Sequence, residues 1–279
     1  MEIIDTHHHL WDRGRFNYKW LKQMPALDRD FILRDYEEVI KGTGVTQSVH
    51  VQAEVEPVFG IQETRWILSM ADAEGPVAGV VAWAPVEEAG LDEFLEKLGK
   101  HPKLKGIRRL IQSEADVRFC ARPEFVAGVR KLAPLGLSFD ICIYHPQLGA
   151  AIELVRQVPE VNFVLDHIGK PAIKDRIMDP WKAQLRELAA LPNVWCKVSG
   201  MVTEADWTSW KAEDLRPYLD QVIDCFGFGR LMFGSDWPVI TLAASYQRWL
   251  EVVQEAVKGA STAEQRQLFW DTANAFYRL

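Results

Sequence analysis

LGAAIELVRQVPEVNFVLDHIG, residues 148–169, contains the reading that decides the fold. Its first half places Leu148, Ala151, Ile152 and Val155 at helical spacing, and Pro159 stops the pattern. Its second half is a short apolar run, Val161 to Leu165, that ends abruptly in Asp166 and His167. A strand with no polar alternation is expected to be buried on both faces. The unit is therefore a helix feeding a buried strand whose last residues are ionisable.

The same unit recurs along the chain. A strand at residues 2–5 is followed by a polar, aromatic loop and a helix at 33–44, and then by the strand QSVHVQA (47–53). Further helices lead into PVAGVVAWAPV, LKGIRRLIQ, LSFDICIYH, NVWCKVSG and RLMFGSDWP, and residues 262–279 read as helix. About eight strands, each followed by a helix, predict an α/β fold of the (β/α)8 TIM barrel type, with an open doubly wound sheet as the alternative. No GxGxxG follows a strand, no GxxxxGK[ST] occurs, and no low-complexity linker divides the 279 residues. One domain over 1–279 is the simplest expectation.

Composition narrows the partners. The chain is 48% hydrophobic and 25% charged, with a net charge of −7, which argues against nucleic acid and anionic membrane. No apolar run approaches a membrane span, and no signal-peptide pattern precedes Asp5. Cys120, Cys142, Cys196 and Cys225 are widely spaced without a CxxC pair, so reduced thiols and a cytoplasmic location are expected. A homo-oligomer is compatible with all of this. The expected partner is a small neutral or anionic molecule.

In a barrel, chemistry sits at the C-terminal ends of the strands. Strand one ends in Asp5-Thr6-His7-His8-His9, and strand two ends near Gln52 and Glu54. Strand four carries Arg108 and Arg109, strand five ends at Tyr144 and His145, and strand six at Asp166-His167. Strand seven ends in Lys197-Val198-Ser199 and strand eight in Ser235-Asp236-Trp237. Ionisable groups at the ends of buried strands are expected to be paired or functional. The three histidines are not read as a tag, because the run continues an apolar strand directly into Leu10-Trp11. Strand alternation puts His7 and His9 on one side and His8 on the other. His-x-His on its own presents two imidazoles equally to an ion, to a substrate or to the core.

Five segments in order, IIDTHHHLWD (3–12), GIRRLIQ (106–112), VLDHIGKP (164–171), KVSG (197–200) and LMFGSDWPV (231–239), together resemble the amidohydrolase superfamily. Within it they are similar to the branch of lactonases that open sugar-acid lactones, fuconolactonase and rhamnonolactonase among them. The resemblance implies a distorted (β/α)8 barrel, a carboxylic-ester hydrolase, and a site in which His7, His9, His167 and Asp236 are candidate ligands of one zinc-like divalent ion. It departs from binuclear members, which carry a lysine or carboxylate after strand four where this chain has Arg108 and Arg109. A permanent cation does not ligate a metal, so two ions are not expected, and activity without metal stays open. His145, in YHPQL, lies beyond the place where such members have a histidine after strand five.

Lactone hydrolysis needs a base, a group that stabilises the carbonyl oxygen and an acid for the leaving alkoxide. Asp236 is expected to be the base, with His167 and Arg108 beside it. Arg108 rather than Arg109 is expected to face the barrel, although both are candidates for holding substrate. Trp11, Tyr144, His145 and Trp237 are expected to line a sugar-sized pocket, since aromatic faces suit sugar rings. Gln52, Glu54, Lys197 and Ser199 rank below these, and Lys105 and Lys170 read as solvated surface. A decarboxylase or amide hydrolase of the same superfamily, and a non-catalytic sugar-binding barrel, are the competing functions.

Overall fold

The computed structural model describes residues 1–73 and 75–279. Eight parallel strands lie in the order β1 to β8: β1 (Ile3–His8), β2 (Val45–Val51), β3 (Val77–Ala82), β4 (Leu104–Ile107), β5 (Ser138–Ile141), β6 (Phe163–Leu165), β7 (Val194–Val198) and β8 (Leu231–Phe233). Helices cover the outside: α1 (Leu33–Ile40), α2 (Gly60–Asp72), α3 (Leu91–Leu98), α4 (Pro123–Arg130), α5 (Leu148–Gln157), α6 (Trp181–Ala189), α7 (Ala212–Phe226) and α8 (Tyr246–Ala256). The open-sheet alternative is excluded by closure between β1 and β8. There the His9 N–H donates to the Trp237 carbonyl (2.7 Å) and the Asp236 N–H to the His7 carbonyl (2.7 Å). No helix among the described residues is long and apolar enough to cross a membrane.

The 148–169 unit shows why the pattern folds this way. α5 buries Leu148, Ala151, Ile152, Leu154 and Val155 and ends before Pro159. β6 then enters the sheet with all three residues buried. Burial of each such side chain contributes about 1.5–3 kcal/mol relative to exposure. Inside the barrel, Ile4, Val49, Val51, Val81, Val164 and Met232 pack on Ala273 and Tyr277. The last two belong to α10 (Thr272–Tyr277), which follows α9 (Thr262–Arg266) and a π-helical turn at Gln267–Asp271. This segment closes the N-terminal end of the barrel, so the cavity opens only toward the strand C-termini.

The strands are shorter than the apolar runs suggested. β4 ends at Ile107 and β8 at Phe233, and the arginines and Asp236 lie just past the ladder. Lys105 is buried rather than solvated: its ammonium donates to the Arg278 carbonyl at 2.9 Å under the plug.

Candidate active site

β1 does not keep one alternation from end to end. Asp5 pairs with Ser48, and His8 pairs with His50, so three steps on β1 match two on β2. This is a one-residue bulge. Before it, Ile4 faces the interior and Asp5 faces the helices. After it, His7 and His9 face the interior, and His8 turns out to stack on Tyr36 (ring centroids 4.0 Å, planes 8° apart). The bulge is anchored by Asp5. Its carboxylate accepts from the His7 N–H (3.1 Å), Ser235 N–H (2.8 Å), Ser235 hydroxyl (2.6 Å), Tyr36 hydroxyl (2.9 Å) and Tyr246 hydroxyl (3.1 Å). Burial raises its pKa, and these donors oppose that rise.

Three imidazoles converge. His7, His9 and His167 bring Nε2 to 3.9, 3.3 and 3.9 Å from the same oxygen, Oδ1 of Asp236. Each Nδ1 faces a second partner: Asp166 Oδ1 at 3.3 Å from His7, the Val51 carbonyl at 2.7 Å from His9, and Ser199 Oγ at 2.9 Å from His167. The Val51 carbonyl can only accept, so His9 carries a proton on Nδ1 and turns Nε2 toward a carboxylate oxygen. At 3.3 Å that approach calls for a proton or a cation between nitrogen and oxygen. Imidazoles fixed through Nδ1 by a carboxylate or carbonyl are the usual arrangement around a metal. The donor set therefore fits one divalent ion at His7, His9 and Asp236, whose ligand atoms all lie within 4.8 Å of one another. His7, Asp166 and His167 form a second such group, but Asp166 is already committed to two cations.

Those cations belong to a buried charge network. Lys197 Nζ lies 2.5 Å from Asp140 Oδ2, 3.1 Å from Asp166 Oδ1 and 3.5 Å from His7 Nδ1. Arg108 donates to Asp166 Oδ2 (3.2 Å) and to the Gln52 carbonyl (2.6 Å), and its Nη1 lies 3.3 Å from His7 Nε2. Two carboxylates and two cations are thus buried together with their charges balanced. Burial lifts the Asp140 carboxyl to about 6, whereas Lys197 and Arg108 hold Asp166 below its ordinary value against burial. Burial, with Lys197 alongside, drives His7 well below its ordinary pKa, and burial does the same to His167. Burial alone would raise Asp236, but His167, His9 and Lys170 outweigh it, and the carboxyl lies below its ordinary value.

Above this floor is a cavity of about 120 Å³. Arg108, His9, His167 and Asp236 line it, joined by Glu54, Gln112, Lys170 and Trp20. Several expectations need correction. Trp11 is fully buried in the core, its indole N–H bonded to the Arg29 carbonyl, and Trp237 packs on Phe31 and Tyr36; neither lines the cavity. Trp20 is the cavity's indole, fixed by a bond to the Ala53 carbonyl (2.8 Å). Arg109 points away and is held by Glu87 and Glu114, each at 2.7 Å. Tyr144 is exposed with Lys170 Nζ 5.1 Å from its ring centre, and His145 is half-buried at the start of a turn; both are outside the lining. Lys170 is not solvated surface, because its ammonium donates to Gln112 Oε1 at 2.6 Å in the cavity wall. A larger groove of about 800 Å³ lies at the N-terminal ends of β4 and β5, away from the polar strand ends.

Backbone conformation aims these groups. His167, Ile168, Gly169 and Lys170 all have positive φ (54°, 51°, 77° and 46°), so one left-handed turn presents both His167 and Lys170. Glu54 (56°) and Asp236 (60°) are left-handed too. Such residues cluster where function holds the chain in place. Gly200 makes room: a Cβ there would lie 2.4 Å from His167 Nδ1.

A family model described as amidohydrolase matches residues 4–279. The chain belongs to the amidohydrolase family. The L-fucono-1,5-lactonase of Burkholderia multivorans is 37% identical over 288 residues, spanning 99% of this chain and 96% of that one. The L-fucono-1,5-lactonase of Burkholderia ambifaria is 32% identical over 99% of this chain and 95% of that one. A crystal structure of a Burkholderia multivorans amidohydrolase with bound zinc, 37% identical, superposes with a TM-score of 0.91 over the whole of both chains. The amidohydrolase resemblance named His7, His9, His167 and Asp236, and these are the four side chains that meet on the cavity floor.

Proposed function

We propose that this amidohydrolase opens the ring of a sugar-acid lactone of the fucono- or rhamnonolactone type. The observation that carries the reading is the convergence of three fixed imidazoles on Asp236 at the floor of a polar cavity, in a chain similar over its full length to two fuconolactonases. Asp236 accepts a proton from water as the water oxygen bonds to the acyl carbon. The acyl–oxygen bond of the ring then breaks, and the departing alkoxide takes the proton back from Asp236, leaving a hydroxy acid. Arg108 lines the cavity beside Asp236 and supplies positive charge where the carbonyl oxygen becomes an anion. His9 and His167, with Nδ1 occupied, direct Nε2 to the reacting centre. A single zinc-like ion held by His7, His9 and Asp236, with His167 beside them, would supply Lewis-acid polarisation when bound. The four free cysteines support a reducing, cytoplasmic setting, and the similarity to fuconolactonases supports a role in carbohydrate breakdown.

A panel of aldonolactones followed by a pH indicator tests this. Rapid acid release from a five- or six-carbon lactone is expected. Release no faster than the uncatalysed rate across the panel would overturn the reading.

A further inference from the structure

Glu54 follows β2 on the cavity wall in a left-handed conformation (φ 56°) that a non-glycine residue adopts at a cost. Gln52 holds it there. The Gln52 side chain accepts from the Glu54 N–H (2.5 Å) and donates to Glu54 Oε2 (3.1 Å), while its own carbonyl takes the Arg108 guanidinium. Among the described residues no cation lies within ion-pair distance of the Glu54 carboxylate. The two cations lining the cavity are engaged elsewhere: Arg108 with Asp166, and Lys170 with Gln112 and, at 3.8 Å, Glu204. The wall thus offers a strained, unpaired carboxylate with spare acceptor capacity and no free cation.

We propose that Glu54 is a specificity-determining residue, accepting hydrogen bonds from adjacent hydroxyls of a neutral, hydroxylated lactone ring and rejecting lactones that carry a carboxylate. This rests on the lactonase reading and narrows its substrate class. A carboxylate has two oxygens spaced to accept from neighbouring hydroxyls, and charge-assisted bonds of this kind discriminate strongly. An anionic substrate would meet both Glu54 and Asp236. The backbone strain follows from the same role, since the left-handed turn is what brings the carboxylate to the wall.

The test compares wild type, Glu54→Gln and Glu54→Gly on a six-carbon aldonolactone, unsubstituted δ-valerolactone and a lactone bearing a free carboxylate. The preference for the hydroxylated over the unsubstituted ring, as a ratio of kcat/KM, should fall by roughly tenfold or more in both variants, mainly through KM. Discrimination against the anionic lactone should weaken as well. Glu54→Gly should melt no lower than wild type, because glycine relieves the left-handed backbone. An unchanged preference, or a preference lost only with a lowered melting temperature in both variants, would overturn the proposal. Calorimetric binding of L-fucose, an unreactive hydroxylated pyranose, separates the two readings. If wild type turns over no lactone but binds the pyranose at least tenfold more tightly than Glu54→Gln, the lactonase reading falls and the role of Glu54 stands. If wild type turns over no lactone and pyranose binding is absent or indifferent to the variants, both fall.

Discussion

Replacing Gly200 by alanine should damage the site through a single methyl group. Gly200 has φ +59°, and its added Cβ would lie 2.4 Å from His167 Nδ1 and 2.7 Å from His167 Cγ. The left-handed backbone alone costs about 1–2 kcal/mol for a residue with a Cβ. The clash costs about 1–3 kcal/mol more, since the neighbour is a buried ring held at Nδ1 by Ser199 rather than the end of a flexible chain. Moving the ring also breaks its 2.9 Å contact with Ser199 Oγ, worth about 0.5–1.5 kcal/mol. Together these come to about 2.5–6.5 kcal/mol. For a chain of this size that is a fall of roughly 4–11 °C in Tm, followed by far-UV circular dichroism. Lactone turnover should fall by more than a hundredfold even at temperatures where the variant is folded. Gly42→Ala is the control: its φ is +77° with nothing within 4 Å, so only the backbone cost applies and turnover should hold. A Gly200→Ala protein that melts with the Gly42→Ala protein and keeps half of wild-type turnover would refute the claim that Gly200 makes room for His167.

Asp236→Asn should lower kcat by about a hundredfold or more while the fold persists, because an amide cannot accept the water's proton; kcat within tenfold of wild type would point to another base. Lys197→Met strips the cation from Asp140 and Asp166, and should cost about 3–5 kcal/mol in chemical denaturation, with partial recovery on adding Asp140→Asn. Glu63, buried beside Tyr18 and near Glu54, has its carboxyl pushed up to about 8 by burial. A raised carboxyl binds a proton more tightly in the folded chain, so folding stability should fall as pH rises from about 4.5 to 8, and Glu63→Gln should remove that loss. Equal pH slopes for the two proteins between these limits would contradict this. Protein purified without an affinity tag should hold at most one equivalent of divalent metal by elemental analysis, and two tightly held equivalents would contradict the single-ion site.

The barrel was legible because buried parallel strands and amphipathic helices leave different periodicities, as in residues 148–169. The pairing of His7 with His9 was legible for the same reason. Their direction was not, since the bulge that turns them inward adds a residue without leaving a mark in the sequence. The aromatic residues were misplaced because an indole beside a polar strand end looks the same whether it faces a cavity or the helices. Trp11 and Trp237 took the core side, and Trp20 arrived from a turn nine residues further on. Lys170 was misread because a lysine before proline usually marks a solvated turn. The left-handed run from His167 to Lys170 reverses that, and Gly169 was the one visible sign of it. Lys105 and Lys197 show the converse: a lysine within an apolar run is buried when a partner waits for it, and the partners, Arg278, Asp140 and Asp166, are distant in sequence.

The bulge in β1 makes one strand follow two counting frames. Below it, odd-numbered Asp5 belongs to the helices; above it, odd-numbered His7 and His9 belong to the barrel interior, and His9 reaches the cavity. Point substitutions change what a position carries without changing which side it serves. Straightening the strand with Thr6 kept in would turn His7 and His9 toward the helices. Removing Thr6 would instead take out the extra residue and leave both facing inward, with His8 still opposite His50. The site therefore tolerates loss of one residue at this place but not loss of the kink while the residue stays. Aligned relatives with a one-residue gap here should keep the same inward pair.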